Sequence, residues 1–288
     1  MRSVALATDR NHPHLSHDDQ LLLPILHEMG FEACPVQWDS QDTDWERFDT
    51  CIVRSCWDYH LRISEFLQWS QHLGDRHVRV WNPIEIIRWN HHKRYLKDLE
   101  QKGIPIVPTY LVERDSVKSL KDILEVCRWD DVIVKPCVSA SSYRTHRISR
   151  DAADSYQAEF QAIAQESGAL VQPFIREIQE SGEWSFVFFN RKFSHAVRKT
   201  PAKGEYRSQE SFGGSMIQVV PSSSQVRAAE NVIASVEGDL LYGRVDMIQV
   251  NGQLLLGELE LIEPSLFFES DFSSALRFVQ ALSRQSVP

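Results

Sequence analysis

The sequence predicts an α/β protein that turns α+β toward its C-terminal end, and two observations carry that expectation. Short apolar runs at residues 3–8, 50–54 and 132–135 alternate with longer segments whose apolar residues recur at helical spacing, as in 63–73. Such alternation marks strand–helix–strand units around a mostly parallel sheet. Later the apolar runs come in pairs around Asn190-Arg191 and Asn251-Gly252. Asn-Gly is a strong short hairpin signal, so antiparallel pairing is expected there.

Residues 3–8 read as the first strand, and Ser16-His17-Asp18-Asp19 has the form of a capping box for a helix that Gly30 ends. Strands follow at 32–38 and 50–54, a helix at 63–73 and a short strand at 78–81, which together predict an open, mostly parallel sheet. A helix over 90–102 is ended by Gly103 with Pro105 beyond. Strands at 107–112, 132–135 and 170–173 and a helix over about 151–166 form the central part. Strands at 184–189 and 192–198 pair around Asn190-Arg191, a helix spans 224–237, the Asn251-Gly252 hairpin comes next, and a helix over 271–284 closes the chain. There is no internal repeat and no low-complexity segment.

Composition narrows the function. A chain of 288 residues with 42% hydrophobic content can bury a sizeable core and sits near the size at which chains divide, so two or three subdomains are expected. A net charge of −9, with no basic run interleaved with aromatics, argues against nucleic acid as a partner. No apolar stretch approaches the roughly 20 residues needed to span a bilayer, and the N-terminus has no signal-peptide pattern. No membrane partner is therefore expected. Five cysteines without C-x-x-C spacing fit a reducing cytoplasm better than a disulfide framework. A homo-oligomer is left open.

The chemistry concentrates near the end. Glu258 and Glu260 alternate with Leu259 and Leu261, so on a strand both carboxylates take one face. A hairpin at Asn251-Gly252 brings Asp246 of the incoming strand back toward Glu258. Three carboxylates with no thiol or imidazole nearby suit Mg2+ or Mn2+, and Mg2+ held by few carboxylates generally accompanies substrate phosphates. Two lysines could meet those phosphates. Lys135 ends a short buried strand because Pro136 cannot continue the ladder, and the small-residue loop Ser139-Ala140-Ser141-Ser142 follows. Lys93 lies at the start of the 90–102 helix.

Together these residues resemble the ATP-grasp superfamily of carboxylate-amine ligases, over roughly residues 90–265. The resemblance implies an ATP-grasp fold: an N-terminal α/β substrate-side domain at 1–90, a central subdomain at 91–172, and a C-terminal subdomain with the metal site at 173–288, the last two clasping ATP. It implies that Lys93 and Lys135 contact ATP phosphates, with Ser139 and Ser141 in the phosphate loop. Leu170-Val171-Gln172-Pro173-Phe174-Ile175 resembles the linker that contacts adenine, and Glu183 matches the ribose-binding acid. Arg207 matches one of two basic residues around a mobile loop at 200–214, and Arg198 or Lys199 fills the other place. The magnesium ligands carry over as Asp246, Glu258 and Glu260. Residues 53–60, 65–69, 82–83 and 89–96, with the ending Gly257-Glu258-Leu259-Glu260-Leu261-Ile262-Glu263-Pro264-Ser265-Leu266, are similar to the glutathione synthetase-like group containing the cycloserine-forming O-ureido-serine cyclo-ligase.

Three positions depart from the family pattern. The phosphate loop carries serines where many relatives have glycines, Ser185 stands where an arginine often follows the ribose acid, and Glu260 replaces the usual asparagine. The expected activity is phosphorylation of a small, amino acid-like carboxylate by ATP, then capture by an amine to give an amide, peptide or lactam. The competing expectation is an ATP-binding sensor without ligase activity. Arg54, Asp58 and Tyr59 follow a buried strand at its carboxyl end, where α/β folds place ligands; an internal Arg–Asp pair explains the first two equally well. With Glu263 and Ser265 they complete the candidate substrate contacts. His12, His14 and His17 have no common zinc spacing, and the loop after the first strand makes a substrate role for one of them the better reading.

Overall fold

In the computed structural model, which describes residues 2–207 and 213–285, the N-terminal alternation of apolar runs and helices yields a wholly parallel sheet of order β2-β1-β3-β4. Its elements are β1 (Arg2–Thr8), α1 (His17–Gln20), α2 (Leu22–Glu28), β2 (Phe31–Gln37), β3 (Thr50–Ser55), α3 (Ile63–Asp75) and β4 (Arg79–Trp81). The helix expected to run to Gly30 is two helices. Pro24 lacks the N–H that would bond the Gln20 carbonyl, and the chain breaks at Leu21. The capping box is only half formed: Ser16 Oγ accepts the Asp19 N–H at 3.2 Å, but the Asp19 carboxylate turns to Arg54 and Ser55.

Of the expected 90–102 helix only α5 (Tyr95–Gln101) forms; an additional helix, α4 (Ile84–Asn90), ends where it was to begin, and Lys93 lies in the turn between them. Its backbone N–H meets the Cys137 carbonyl at 2.8 Å, which ties this turn to the central sheet. There β5 (Tyr110–Val112), α6 (Leu120–Cys127), β6 (Asp131–Pro136), β7 (His146–Ser149), α7 (Ala153–Ser167) and β8 (Ala169–Pro173) give the antiparallel order β5-β8-β6-β7. The strand expected from 107 begins only at Tyr110, because the Val107 N–H bonds the Leu256 carbonyl instead. Helix α6 had a readable signal, a complete capping box between Ser119 and Asp122.

Gly168 joins α7 to β8 at φ +80°, and a Cβ there would lie 2.8 Å from the Val112 carbonyl oxygen. Both the backbone and the close approach demand glycine. Gly168→Ala is expected to lower the unfolding free energy by about 1–3 kcal/mol, measured by urea denaturation.

The C-terminal part comprises α8 (Glu177–Ser181), β9 (Glu183–Phe189), β10 (Lys192–Thr200), β11 (Ser215–Val219), α9 (Ser223–Ala234), β12 (Tyr242–Val250), β13 (Gln253–Glu260) and α10 (Ser273–Gln285). Its sheet runs β11-β10-β9-β12-β13, antiparallel throughout. Helix α9 and helix α5 cover one face through Val232, Ile233, Leu96 and Leu99. Helix α10 returns to the N-terminal sheet, where Phe278 and Leu282 share a buried cluster with Val4, Leu6, Leu22 and Ile52.

Candidate active site

Strand β13 carries an irregularity that decides the site. Asp246 faces Glu258 across the β12–β13 pair and Met247 faces Leu256, so Gly257 is an extra residue, a bulge. Strict alternation would put Leu254, Leu256 and Glu258 on one face. The bulge reverses parity at Gly257, so Leu254, Leu256, Leu259 and Leu261 are buried while Glu258 and Glu260 stay partly open to a cavity. Asp246, Glu258 and Glu260 each offer an oxygen, and these oxygens lie within 4.8 Å of one another. An all-oxygen set this close fits a hard divalent cation.

Cations close on these carboxylates. Lys93 and Lys135 both meet Glu258 Oε1, at 3.0 and 2.8 Å. Lys199 bridges Glu183 at 2.7 Å and Asp246 at 3.1 Å. Arg244 pairs with Asp246 at 2.9 Å and also with Glu260. Burial acts to raise the Glu258 carboxyl, but Lys135 and Lys93 outweigh it and hold it well below the usual carboxylate range. For Asp246 the burial effect is overcome by Arg244 and Lys199, and the carboxyl is lowered. Glu260 goes the other way: burial, aided by Asp246 and Glu258, raises it against the pull of Arg244. Ser185, in the place of the family arginine, donates its hydroxyl to Asp246 Oδ1 at 2.6 Å.

Apart from the buried Ser185, these groups line one cavity of about 610 Å³ between the sheets, within the roughly 300–1,000 Å³ usual for ligand pockets. It brings together Lys93, Lys135, Ser139, Ser141, Gln172, Pro173, Phe174, Ile175, Glu183, Lys199, Arg207, Asp246, Glu258 and Glu260, along with Tyr59, Glu263 and Ser265. The Phe174 N–H bonds the Asp131 carbonyl at 2.8 Å, and Arg147 lies 3.6 Å over the Phe174 ring. In the serine-rich loop, Ser141 at φ +50° and Ser142 at φ +58° take the left-handed backbone that glycine usually supplies. Arg207 pairs with Glu205 at 2.8 Å, and the 208–212 part of the loop expected over 200–214 lies outside the described residues.

Three candidates do not line the cavity. Arg198 neighbours Lys199 on β10, so alternation sends it to the other face, with its guanidinium 6.0 Å from the Trp184 ring centre. Arg54 is fully buried, donating to Asp19 at 2.9 Å and to the Pro264 carbonyl at 2.6 Å. Asp58 accepts from Trp38 Nε1 at 2.8 Å and from Arg62 at 2.9 Å. Arg54 and Asp58 therefore do not pair with each other, as the competing reading had it; Arg54 pairs with Asp19 and Asp58 with Arg62. Sequence reasoning passed over Arg244, although its place two residues before Asp246 on a strand puts both on one face. It also passed over Asp18, which lines the cavity from α1, and Trp57, which lines it as well.

Two lysines and a carboxylate trio on an antiparallel sheet, facing a serine loop and backed by a parallel-sheet domain, define an ATP-grasp carboxylate-amine ligase. Comparison bears this out along the whole chain. The chain is 30% identical over 305 aligned positions to the cycloserine biosynthesis protein DcsG of Streptomyces lavendulae, covering 100% of both chains. It therefore belongs to the DcsG family of ATP-grasp ligases. A family model described as the N-terminal domain of D-cycloserine synthetase DcsG matches residues 4–82. The crystal structure of D-cycloserine synthetase DcsG superposes with a TM-score of 0.89 at 27% identity, over 98% of this chain and 99% of that one. At 14% identity, D-alanine–D-alanine ligase from Bacillus anthracis complexed with ATP shares the fold, with a TM-score of 0.70 over 99% of this chain and 97% of that one. The expected ATP-grasp fold and ligase class both hold: the protein is an ATP-dependent ligase that forms C–N bonds. No helix among the described residues is long and apolar enough to cross a membrane.

Proposed function

We propose that this ligase activates a small, amino acid-like carboxylate as its acyl phosphate and that an amine, from the same or a second molecule, displaces the phosphate to give a lactam or amide. The observation that carries this is the single cavity in which Lys93, Lys135 and Lys199 meet Glu258, Glu183 and Asp246. Its apolar stretch, with Ile133, Phe174 and Ile248, suits adenine, and Glu183 suits the ribose hydroxyls. Asp246, Glu258 and Glu260 would hold Mg2+, or Mn2+, which shares the preference for oxygen donors. When bound, Mg2+ adds positive charge at the phosphate oxygens.

The chain's own residues then have distinct tasks. Lys93 and Lys135 leave Glu258 for the phosphates, holding the nucleotide as a point charge can. Lys199, Arg244 and Arg207 offset the charge that moves with the γ-phosphoryl group toward the substrate carboxylate. The loop at 200–214 would exclude water from the acyl phosphate. In the second step the neutral amine nitrogen attacks the acyl carbon, the C–N bond forms, the C–O bond to phosphate breaks with its electron pair leaving on phosphate, and the nitrogen gives up one proton to the departing phosphate. The 1–90, 91–172 and 173–288 segments are proposed as the working units, the first facing the substrate.

ADP release measured over a panel of amino acids, including both enantiomers of O-ureido-serine and of alanine, tests this. Release that needs a carboxylate, with an amide or lactam product of matching stoichiometry, is expected. ADP release indifferent to every carboxylate would point instead to a nucleotide-binding protein without ligase chemistry.

A further inference from the structure

Strand β13 is the last of the C-terminal sheet: among the described residues no further strand of that sheet pairs with its outer side. Leu259 and Leu261 on it are nevertheless buried, and buried backbone N–H and C=O groups must find partners. Before the bulge, main chain supplies them: the Leu256 N–H meets the Pro105 carbonyl at 2.8 Å, and the Leu256 carbonyl accepts the Val107 N–H at 2.9 Å. Beyond Gly257, where Glu258 and Glu260 face the cavity, side chains take over. The Leu259 N–H donates to Tyr95 Oη at 3.1 Å, and the Leu259 carbonyl accepts from Asn90 Nδ2 at 2.9 Å. Asn90 Oδ1 accepts the Leu261 N–H, also at 2.9 Å, and the Leu261 carbonyl accepts from Asn82 Nδ2 at 2.7 Å. The Asn90 amide thus stands in for a residue of a neighbouring strand, donating and accepting between two residues of β13.

Asn90 and Tyr95 are 6% and 2% exposed, and they flank Lys93. Asn90 ends α4, Tyr95 begins α5, and Lys93 in the turn between them reaches Glu258 Oε1 at 3.0 Å. The turn that delivers this lysine therefore also grips the backbone that carries the carboxylates. Leu259 sits between Glu258 and Glu260, so bonding its N–H and carbonyl fixes the roll of the strand about its own axis, and with it the direction of both acidic side chains.

Resting on the metal-binding part of the reading above, we infer that Asn90 and Tyr95 are positioning residues that pin the outer edge of β13 and so hold Glu258 and Glu260 against Asp246 and Lys93 in the arrangement a divalent cation needs. Neither side chain is itself a ligand. Mg2+ demands near-ideal octahedral geometry, so carboxylates free to roll with their strand grip it less well.

The test is Mn2+ titrated into the enzyme with the non-hydrolysable nucleotide AMP-PNP and followed by electron paramagnetic resonance, at a temperature where circular dichroism shows each protein folded. Tyr95→Phe removes one oxygen and keeps the ring. Asn90→Asp keeps the acceptor for Leu261 but sets a second oxygen against the Leu259 carbonyl. Each is expected to weaken Mn2+ binding at least about tenfold, the lower end of the range for lost support of a metal ligand. Arg54→Met, which breaks a buried ion pair away from this edge, serves as the destabilised comparison and is expected to keep wild-type Mn2+ affinity. A lowered melting temperature with wild-type Mn2+ affinity in Tyr95→Phe and Asn90→Asp overturns the inference and leaves the metal reading intact. So does an equal loss of affinity in Arg54→Met, which would mean that any loosening of the fold weakens the site. If wild-type enzyme with AMP-PNP takes up no more Mn2+ than AMP-PNP alone, the metal reading fails and takes the inference with it. Tyr95→Phe, the milder change, decides the matter where Asn90→Asp does not fold.

Discussion

Lys135→Ala and Glu258→Ala are each expected to abolish carboxylate-dependent ADP release while leaving the chain folded. Glu258 Oε1 is shared by Lys135 and Lys93, and all three project from different parts of the chain into the same cavity. Lys135→Ala removes a charge aimed at the phosphates, and by analogy with a lost oxyanion donor this costs about 10²–10³ in rate, with more where the charge is shielded from water. Glu258→Ala removes one of three carboxylates that converge within 4.8 Å and leaves two lysines without their common anion. Neither side chain lies in the apolar core: Glu258 is 26% exposed and Lys135 12% at the side chain, so both sites can be hydrated after truncation. Far-UV circular dichroism and melting temperature should therefore remain near wild type. Wild-type turnover in either variant would count against the site, whereas a large drop in melting temperature would show that the pairs hold the sheets together.

The hairpin and its carboxylates were legible because their determinants are local. Asn251 at φ +48° and Gly252 at φ +81° form the tight turn the dipeptide implies; the turn fixes the register as far as Met247 opposite Leu256, and the bulge at Gly257 then sets Asp246 opposite Glu258. The Gly257 bulge was not legible as such. It nonetheless preserved the expected result, since the reading began at Glu258, beyond the point where parity changes. Lys135 lies near the end of β6 as expected, although Pro136 does not stop the ladder there and itself pairs with Ala169. The helix around Lys93 was mistaken because apolar spacing continues across the turn at 91–94, and only the tertiary bond from Lys93 N–H to Cys137 marks where the helix stops. Strand β3 exposes the limit of periodicity. All six of its residues are buried, so no alternation distinguishes its cavity side from its core side, and Arg54 could not be assigned by pattern. The partner that decides its role, Asp19, is 35 residues away.

Arg54→Met is expected to lower stability by about 3–5 kcal/mol, the range for breaking a buried ion pair from one side. The guanidinium is fully buried and Asp19 is 2% exposed. Asp19 would keep only the Ser55 hydroxyl at 2.7 Å, and the Pro264 carbonyl, now bonded at 2.6 Å, would lose its donor. The packing of Arg54 at 5.0 Å over the Tyr242 ring is largely retained by methionine, so the loss reports charge rather than volume. Urea denaturation gives the magnitude through a lower midpoint at constant slope. If the cost is that of a stranded charge, adding Asp19→Leu should recover much of it, because removing both partners of a buried pair is often near neutral. A substrate-binding arginine predicts the opposite pattern: unchanged stability, a raised KM and no rescue by the second substitution. Since Arg54 grips the carbonyl immediately after Glu263, a modest secondary loss of substrate affinity is consistent with the structural role, but it should disappear in the double variant along with the instability.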